Sequence, residues 1–128
     1  LDALDNIATR LVINDAAIRL HKPWIHCGVL GSKGTVLLTL PGRTPCLRCL
    51  FPNVQPSDNI PWIDTVGILG TVPCFAASLA ANEALKFLSG NHASLAEGMI
   101  QFDLWHNKFE IIPLRGPSKD CVCAMYIE

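Results

Sequence analysis

Cys46-Leu47-Arg48-Cys49, in the middle of the chain, is answered near its end by Cys121-Val122-Cys123. Thiolates two or three positions apart can both reach one tetrahedral ion, and two such pairs close a Cys₄ zinc site. The first pair has the standard spacing, leaves Arg48 exposed between the ligands, and sends Leu50-Phe51 beneath the metal. The second pair is one residue shorter, which tightens the chelate at Cys121. On the cysteines alone, a disulfide, a redox dithiol and unrelated core thiols compete with zinc. No secretory context and no thioredoxin-like βαβ pattern accompanies them, and this favours zinc. A closed Cys₄ site has no open coordination position, so its expected role is structural. It also ties the chain end to the middle, so one domain is expected over residues 1–128.

The rest of the composition agrees with one core. A chain of 128 residues with 50% hydrophobic content is large enough to bury one. With 10 basic and 11 acidic residues, it has no electrostatic footprint for nucleic acid or an anionic membrane. No apolar run is long enough to span a bilayer, and none of these residues reads as a signal peptide, so none is expected. Six cysteines in that setting point to a reducing, cytoplasmic compartment. The chain begins without Met, inside the apolar run Leu1-Asp2-Ala3-Leu4, and reads as part of something longer.

Outward from the cysteines, the pattern alternates strand and helix. Leu1 to Leu4 reads as the end of a strand, and Asp5-Asn6 as its hand-over to a helix over residues 6–21 that stops before Pro23. Ile7, Leu11 and Ile18 share one face of that helix, with Asn14 inside the stripe and in need of a hydrogen-bond partner. Asp5 has two readings. It is an N-cap, or a carboxylate at the C-terminal edge of a sheet, where α/β proteins place their ligands. Trp24 to Cys27 reads as a strand. Gly28-Val29-Leu30-Gly31-Ser32-Lys33-Gly34 is neither a Walker loop nor a dinucleotide fingerprint, and reads as a turn. Thr35 to Leu40 is a further strand, stopped by Pro41-Gly42.

Residues 52–61 read as a loop, and residues 64–70 as a short helix capped by Asp64 or Thr65. A longer helix over residues 73–88 ends at Gly90. Its alanines allow close approach, Phe75, Leu79, Leu85 and Leu88 supply bulk, and Glu83 with Lys86 reads as a surface pair. Strands over 99–103 and 109–114 complete an α/β fold, a mixed sheet flanked by helices. Cys27 and Cys74 read as buried, inert thiols.

Several of these fragments, in order, resemble the C-terminal half of the ThiF/MoeB/HesA family, the bacterial relatives of ubiquitin-activating enzymes. They are Leu4-Asp5-Asn6 with Thr9-Arg10 and Asn14; Gly28 to Gly34; Pro41-Gly42-Arg43-Thr44-Pro45-Cys46 through Pro52; Asp64-Thr65-Val66-Gly67-Ile68-Leu69-Gly70; and Ala81-Asn82-Glu83-Ala84-Leu85-Lys86-Phe87-Leu88. The closing cysteines fall where the family's second zinc pair falls.

The resemblance implies a Rossmann-like domain and an adenylyltransferase. Such enzymes use MgATP to turn the C-terminal Gly-Gly carboxylate of a small ubiquitin-like sulfur carrier or modifier into an acyl-adenylate. It also implies a homo-oligomer, with Asp5 as the catalytic, magnesium-ATP carboxylate and Asn6 and Arg10 as neighbours in that site. Two departures stand out. No GxGxxG occurs in the chain, and where many relatives carry a cysteine before the fourth fragment, this chain reads Trp62-Ile63-Asp64. The alternative is a non-catalytic, zinc-stapled binding module for a small ubiquitin-like protein.

Overall fold

The computed structural model describes residues 1–55 and 65–126. Trp62, Ile63, Asp64 and most of the 52–61 loop therefore lie outside the described residues. Helix α1 spans Ile7–Arg19. Its N-cap is Asn6, not Asp5: Asn6 is extended (φ −133°, ψ 150°), and its Oδ1 accepts from the Thr9 N–H at 2.8 Å. At the other end His21 is left-handed (φ 50°), so the helix ends ahead of Pro23. Residues 1–4 are fastened to the sheet by one backbone bond, Asp2 N–H to Ile25 O at 2.9 Å, and not by a strand ladder.

Four strands, β1 (Trp24–Leu30), β2 (Lys33–Thr39), β3 (Gly98–Asp103) and β4 (Lys108–Pro113), pair in that order. Every pairing among them is antiparallel; the parallel contact is an isolated Gly31–Ile68 bridge. Short connections explain the β1–β2 and β3–β4 pairings, because a tight turn reverses a chain whereas a parallel crossover needs a dozen residues or more; β2 and β3 are joined instead by the long segment 40–97. At the first turn Gly31 takes φ 59°, which a side chain at the leading turn position would resist. At the second hairpin Asp103 organises both turns. It accepts from Ser32 Oγ at 2.7 Å and from the Trp105 N–H at 3.1 Å, and it meets His106 Nδ1 at 2.8 Å. The Ser32 and His106 bonds draw its carboxyl down to about 2.

Strand periodicity divides the sheet into two faces. Ile25, Val36, Ile100 and Phe102 turn toward helix α3 (Thr71–Leu88). Trp24 turns the other way, packing with Leu11 and Ala17 of α1 and with Leu47 of the short helix α2 (Leu47–Leu50). In α3 the buried stripe is Val72, Ala76, Ala80 and Glu83, so small side chains let the helix approach the sheet. Of the bulk expected there, Leu79 packs beside the stripe and Phe75 meets the Phe102 ring, whereas Leu85 and Leu88 are exposed. Cys74 is exposed as well, contrary to the buried thiol expected.

Glu83 is the larger correction. It is 2% exposed, and its carboxylate accepts the Ala96 N–H at 3.0 Å while pairing with Lys86, so it fastens the segment before β3 to the helix. Leaving a buried N–H without its acceptor costs about 1–3 kcal/mol. Glu83→Ala is therefore expected to lower unfolding free energy by that amount in urea titration. A loss below about 0.5 kcal/mol, the ordinary range for surface substitutions, would return Glu83 to the surface-pair reading.

Candidate functional site

The four cysteines of the two expected pairs come together. Their Sγ atoms all lie within 4.8 Å of one another. Cys46 is 3.8 Å from Cys49 and 3.5 Å from Cys121, and Cys49 is 3.3 Å from Cys123. A tetrahedral ion with metal–sulfur bonds of about 2.3 Å sets its sulfurs about 3.8 Å apart, so the four thiols could hold one metal ion. A disulfide would need its sulfurs at about 2.05 Å, and all six thiols are free. Ile18 and Tyr126 pack against the cluster.

The thiols differ in their readiness to ionise. Burial raises Cys121 to about 11, with Cys49 and Cys46 adding to the rise, and burial also pushes Cys123 far up. At Cys49, burial is outweighed by the Ser118 N–H, 3.4 Å from Sγ, and by the Cys46 backbone and Cys123 thiol bonds, so its value falls.

Two side chains of α1 grip this knuckle. Asn14, fully buried, accepts the Leu47 N–H on Oδ1 at 2.8 Å, which supplies the partner its place in the stripe required. Asp15 takes Arg48 bidentately at 2.7 and 2.8 Å. Arg48 is thus half-buried and paired, not free between the ligands.

The N-terminal end of α1 holds a second cluster, only part of which the sequence reading anticipated. Asp5 is exposed and accepts from Asn6 Nδ2 at 3.1 Å, so Asn6 both caps the helix and steadies that carboxylate. Arg10 turns inward. Its Nε meets Asp2 Oδ2 at 3.0 Å, and its Nη2 donates to Leu4 O and to Cys27 O, the latter at 2.9 Å. Asp2 has no exposed side-chain surface; its Oδ1 accepts the Leu4 N–H at 2.7 Å, and its Oδ2 also meets His26 Nδ1 at 3.1 Å. Asp2 and His26 carry no motif and were missed. An acidic residue two positions into an apolar run was the available signal, since a buried carboxylate needs cationic partners.

A cavity of about 260 Å³ opens beside this cluster, between the sheet, α1 and the α2 knuckle, with Arg10, His26, Gly28, Thr35 and Gln101 among its walls. The fold around it is shared with enzymes of known structure. E. coli MccB with AMPCPP and MccA superposes with a TM-score of 0.67 at 20% identity, over 96% of this chain and 38% of that one. The Microcin C7 biosynthetic enzyme MccB with N-formylated MccA gives 0.68 at 20% identity, over 89% and 37%. The chain belongs to the ThiF family, whose pattern it matches over residues 1–123.

Among curated relatives, the adenylyltransferase and sulfurtransferase MOCS3 of Culex quinquefasciatus is 35% identical over 97% of this chain and 28% of its own length. The sulfur carrier protein adenylyltransferase of Thermus thermophilus is 36% identical over 97% of the chain and 48% of its own. The chain thus spans between about a quarter and a half of these relatives.

Two predictions follow from the geometry. Cys49→Ser is expected to release bound metal and lower the thermal midpoint by about 5 °C or more, read by metal analysis and calorimetry. Because ligand thiols must lose protons to bind, loading the apoprotein with metal at pH 7 should release protons into weak buffer. Metal-independent melting and no proton release would remove the cluster's structural role.

For Asp2, burial alone raises the carboxyl, but His26, the Leu4 N–H and Arg10 outweigh it and hold it below the usual value. A depressed carboxyl stabilises the fold above the unfolded value near about 3.9 and loses that contribution as pH falls through the folded value. Asp2→Asn should therefore cost about 1–3 kcal/mol at pH 7, with the gap to the unaltered protein closing below about pH 4. A gap independent of pH would show that packing, not charge, is what Asp2 supplies.

Proposed function

We propose that the protein carrying this chain is an adenylyltransferase. It would spend MgATP to convert the C-terminal Gly-Gly carboxylate of a small ubiquitin-like sulfur carrier or modifier into an acyl-adenylate. A carboxylate is a poor electrophile because its leaving group is oxide; adenylation substitutes a stabilised phosphate anion. Two anions must meet for this, so positive charge has to gather at the phosphates. The observation that carries the reading is the ThiF match over residues 1–123, with Asp5 exposed at the start of a helix whose Ile7 and Arg10 line the cavity. The printed activities of the MOCS3 and Thermus relatives support it.

In this reading Asp5 is the carboxylate that holds magnesium-ATP, and Asn6 and Arg10 hold Asp5 and its backbone in place. The four cysteines, Cys46, Cys49, Cys121 and Cys123, take zinc, whose preference for tetrahedral thiolate sets matches the donors present. That site is a staple and takes no part in the chemistry. The chain is the C-terminal part of a longer ThiF domain, homo-oligomeric and cytoplasmic. Among the described residues no helix is long and apolar enough to cross a membrane.

Pyrophosphate exchange with a Gly-Gly-ending carrier tests the reading on the full-length protein, its Asp5→Ala variant and the 128-residue chain alone. The full-length protein should exchange, and Asp5→Ala should lose about 10²–10³-fold, the usual cost of one transition-state electrostatic contact. The chain alone should not exchange, because magnesium relies on substrate phosphates for much of its coordination and no glycine-rich phosphate loop lies within these residues. A full-length protein that binds the carrier without exchange would favour the non-catalytic binding module.

A further inference from the structure

We propose that His26 and Thr35 contact the main chain of the carrier's Gly-Gly tail, with His26 accepting a peptide N–H at Nε2 and Thr35 donating its hydroxyl to a peptide carbonyl. This rests on the adenylation reading and adds to it the residues that would recognise the entering tail.

Three observations carry it. The first is the orientation of the ring. Asp2, ionised at neutral pH, can only accept, so the proton shared with His26 sits on Nδ1. In the neutral imidazole this leaves Nε2 with a free lone pair, and no hydrogen bond to it occurs among the described residues. Arg10 shares Asp2 Oδ2 and so fixes the carboxylate that fixes the ring.

The second is convergence. Gly28 and Thr35 are direct register partners, and their side-chain positions lie on the cavity face of the sheet. A Cβ on Gly28 would stand 3.1 Å from His26 Nε2 and 3.1 Å from Thr35 Oγ1. The bare Cα therefore leaves an acceptor and a donor side by side on one wall. One residue of an extended tail points its own N–H and C=O to the same side and so presents the complementary pair, and a glycine there brings no side chain to collide with that wall.

The third is placement. One Arg10 nitrogen, Nη2, binds the carbonyls of Leu4 and Cys27, whose next residues are Asp5 and Gly28. The proposed recognition wall and the proposed magnesium-ATP carboxylate thus begin within the span of one guanidinium group.

The test is the carrier KM in pyrophosphate exchange, measured on the full-length protein. His26→Asn keeps a donor near the Nδ1 position for Asp2 and removes Nε2. Thr35→Val removes the hydroxyl at constant shape. Gly28→Ala sets a methyl between the two. Each should raise the carrier KM by about tenfold, one hydrogen bond's worth, with the KM for ATP and the metal content unchanged. Carriers N-methylated at either terminal glycine identify the bond: one of them should lose about tenfold with the unaltered enzyme and little further with His26→Asn.

Carrier KM values within about twofold of the unaltered enzyme in the Thr35→Val and Gly28→Ala variants would overturn the proposal, twofold being the lower end of a hydrogen bond's contribution. So would an N-methyl penalty undiminished in His26→Asn. Absence of carrier-dependent exchange in the unaltered protein is a distinct result, which removes the adenylation reading and this inference with it.

Discussion

Asp2 is a carboxylate with no exposed side-chain surface, and an unpaired charge in that position costs several kcal/mol. Each partner it recruits fixes a different part of the molecule. The Leu4 N–H curls the first residues around it, Arg10 comes from α1, and His26 comes from the middle of β1. Arg10 then spends its remaining contacts on the Leu4 and Cys27 carbonyls, so the chain on either side of the cavity is held by one side chain. The exposed Asp5 owes its position to this buried arrangement and not to any contact of its own with the core.

Helix α1 carries that arrangement to the cysteine cluster. From Ile7 to Arg19 it is 13 residues long, about 20 Å at 1.5 Å per residue. At its N-terminal end it holds the Asp5 cluster; further along, Asn14 and Asp15 grip Leu47 and Arg48, and Ile18 packs on the thiols. A metal that orders the knuckle therefore also orders the side of α1 that faces the cavity. This gives a structural metal a bearing on the site without any chemical part in it.

Period-two alternation does the rest. One face of the sheet receives α3 through a stripe of valine and alanine, and the other carries Trp24, His26, Gly28 and Thr35 toward α1 and the cavity. A one-residue slip between β1 and β2 would send His26 into the α3 core. Gly31 at the turn pins that register, as does the Asp103 carboxylate that holds Ser32 to the second hairpin.

The cysteine spacing, the stop signals at Pro23 and Gly90, and the helical period of residues 6–21 and 73–88 were legible in sequence because each is a local rule. Thiols at tetrahedral spacing, a ring that cannot continue a helix, and apolar residues every three to four positions need no knowledge of neighbours. The ordered motif fragments added Asp5 and the family. What the linear chain withheld were pairings between distant residues: Asp2 with His26, Asp15 with Arg48, and Glu83 with the Ala96 N–H. Their sign, buried or exposed, depends on which partner arrives. Glu83 beside Lys86 looks like a surface pair until a backbone N–H thirteen residues on is brought to it, and Cys74 looks buried until α3 turns its alanines inward. The sequence placed His26 in a strand and said no more of it. Only the fold could show that a buried carboxylate orients its ring and that a bare glycine lies beneath it.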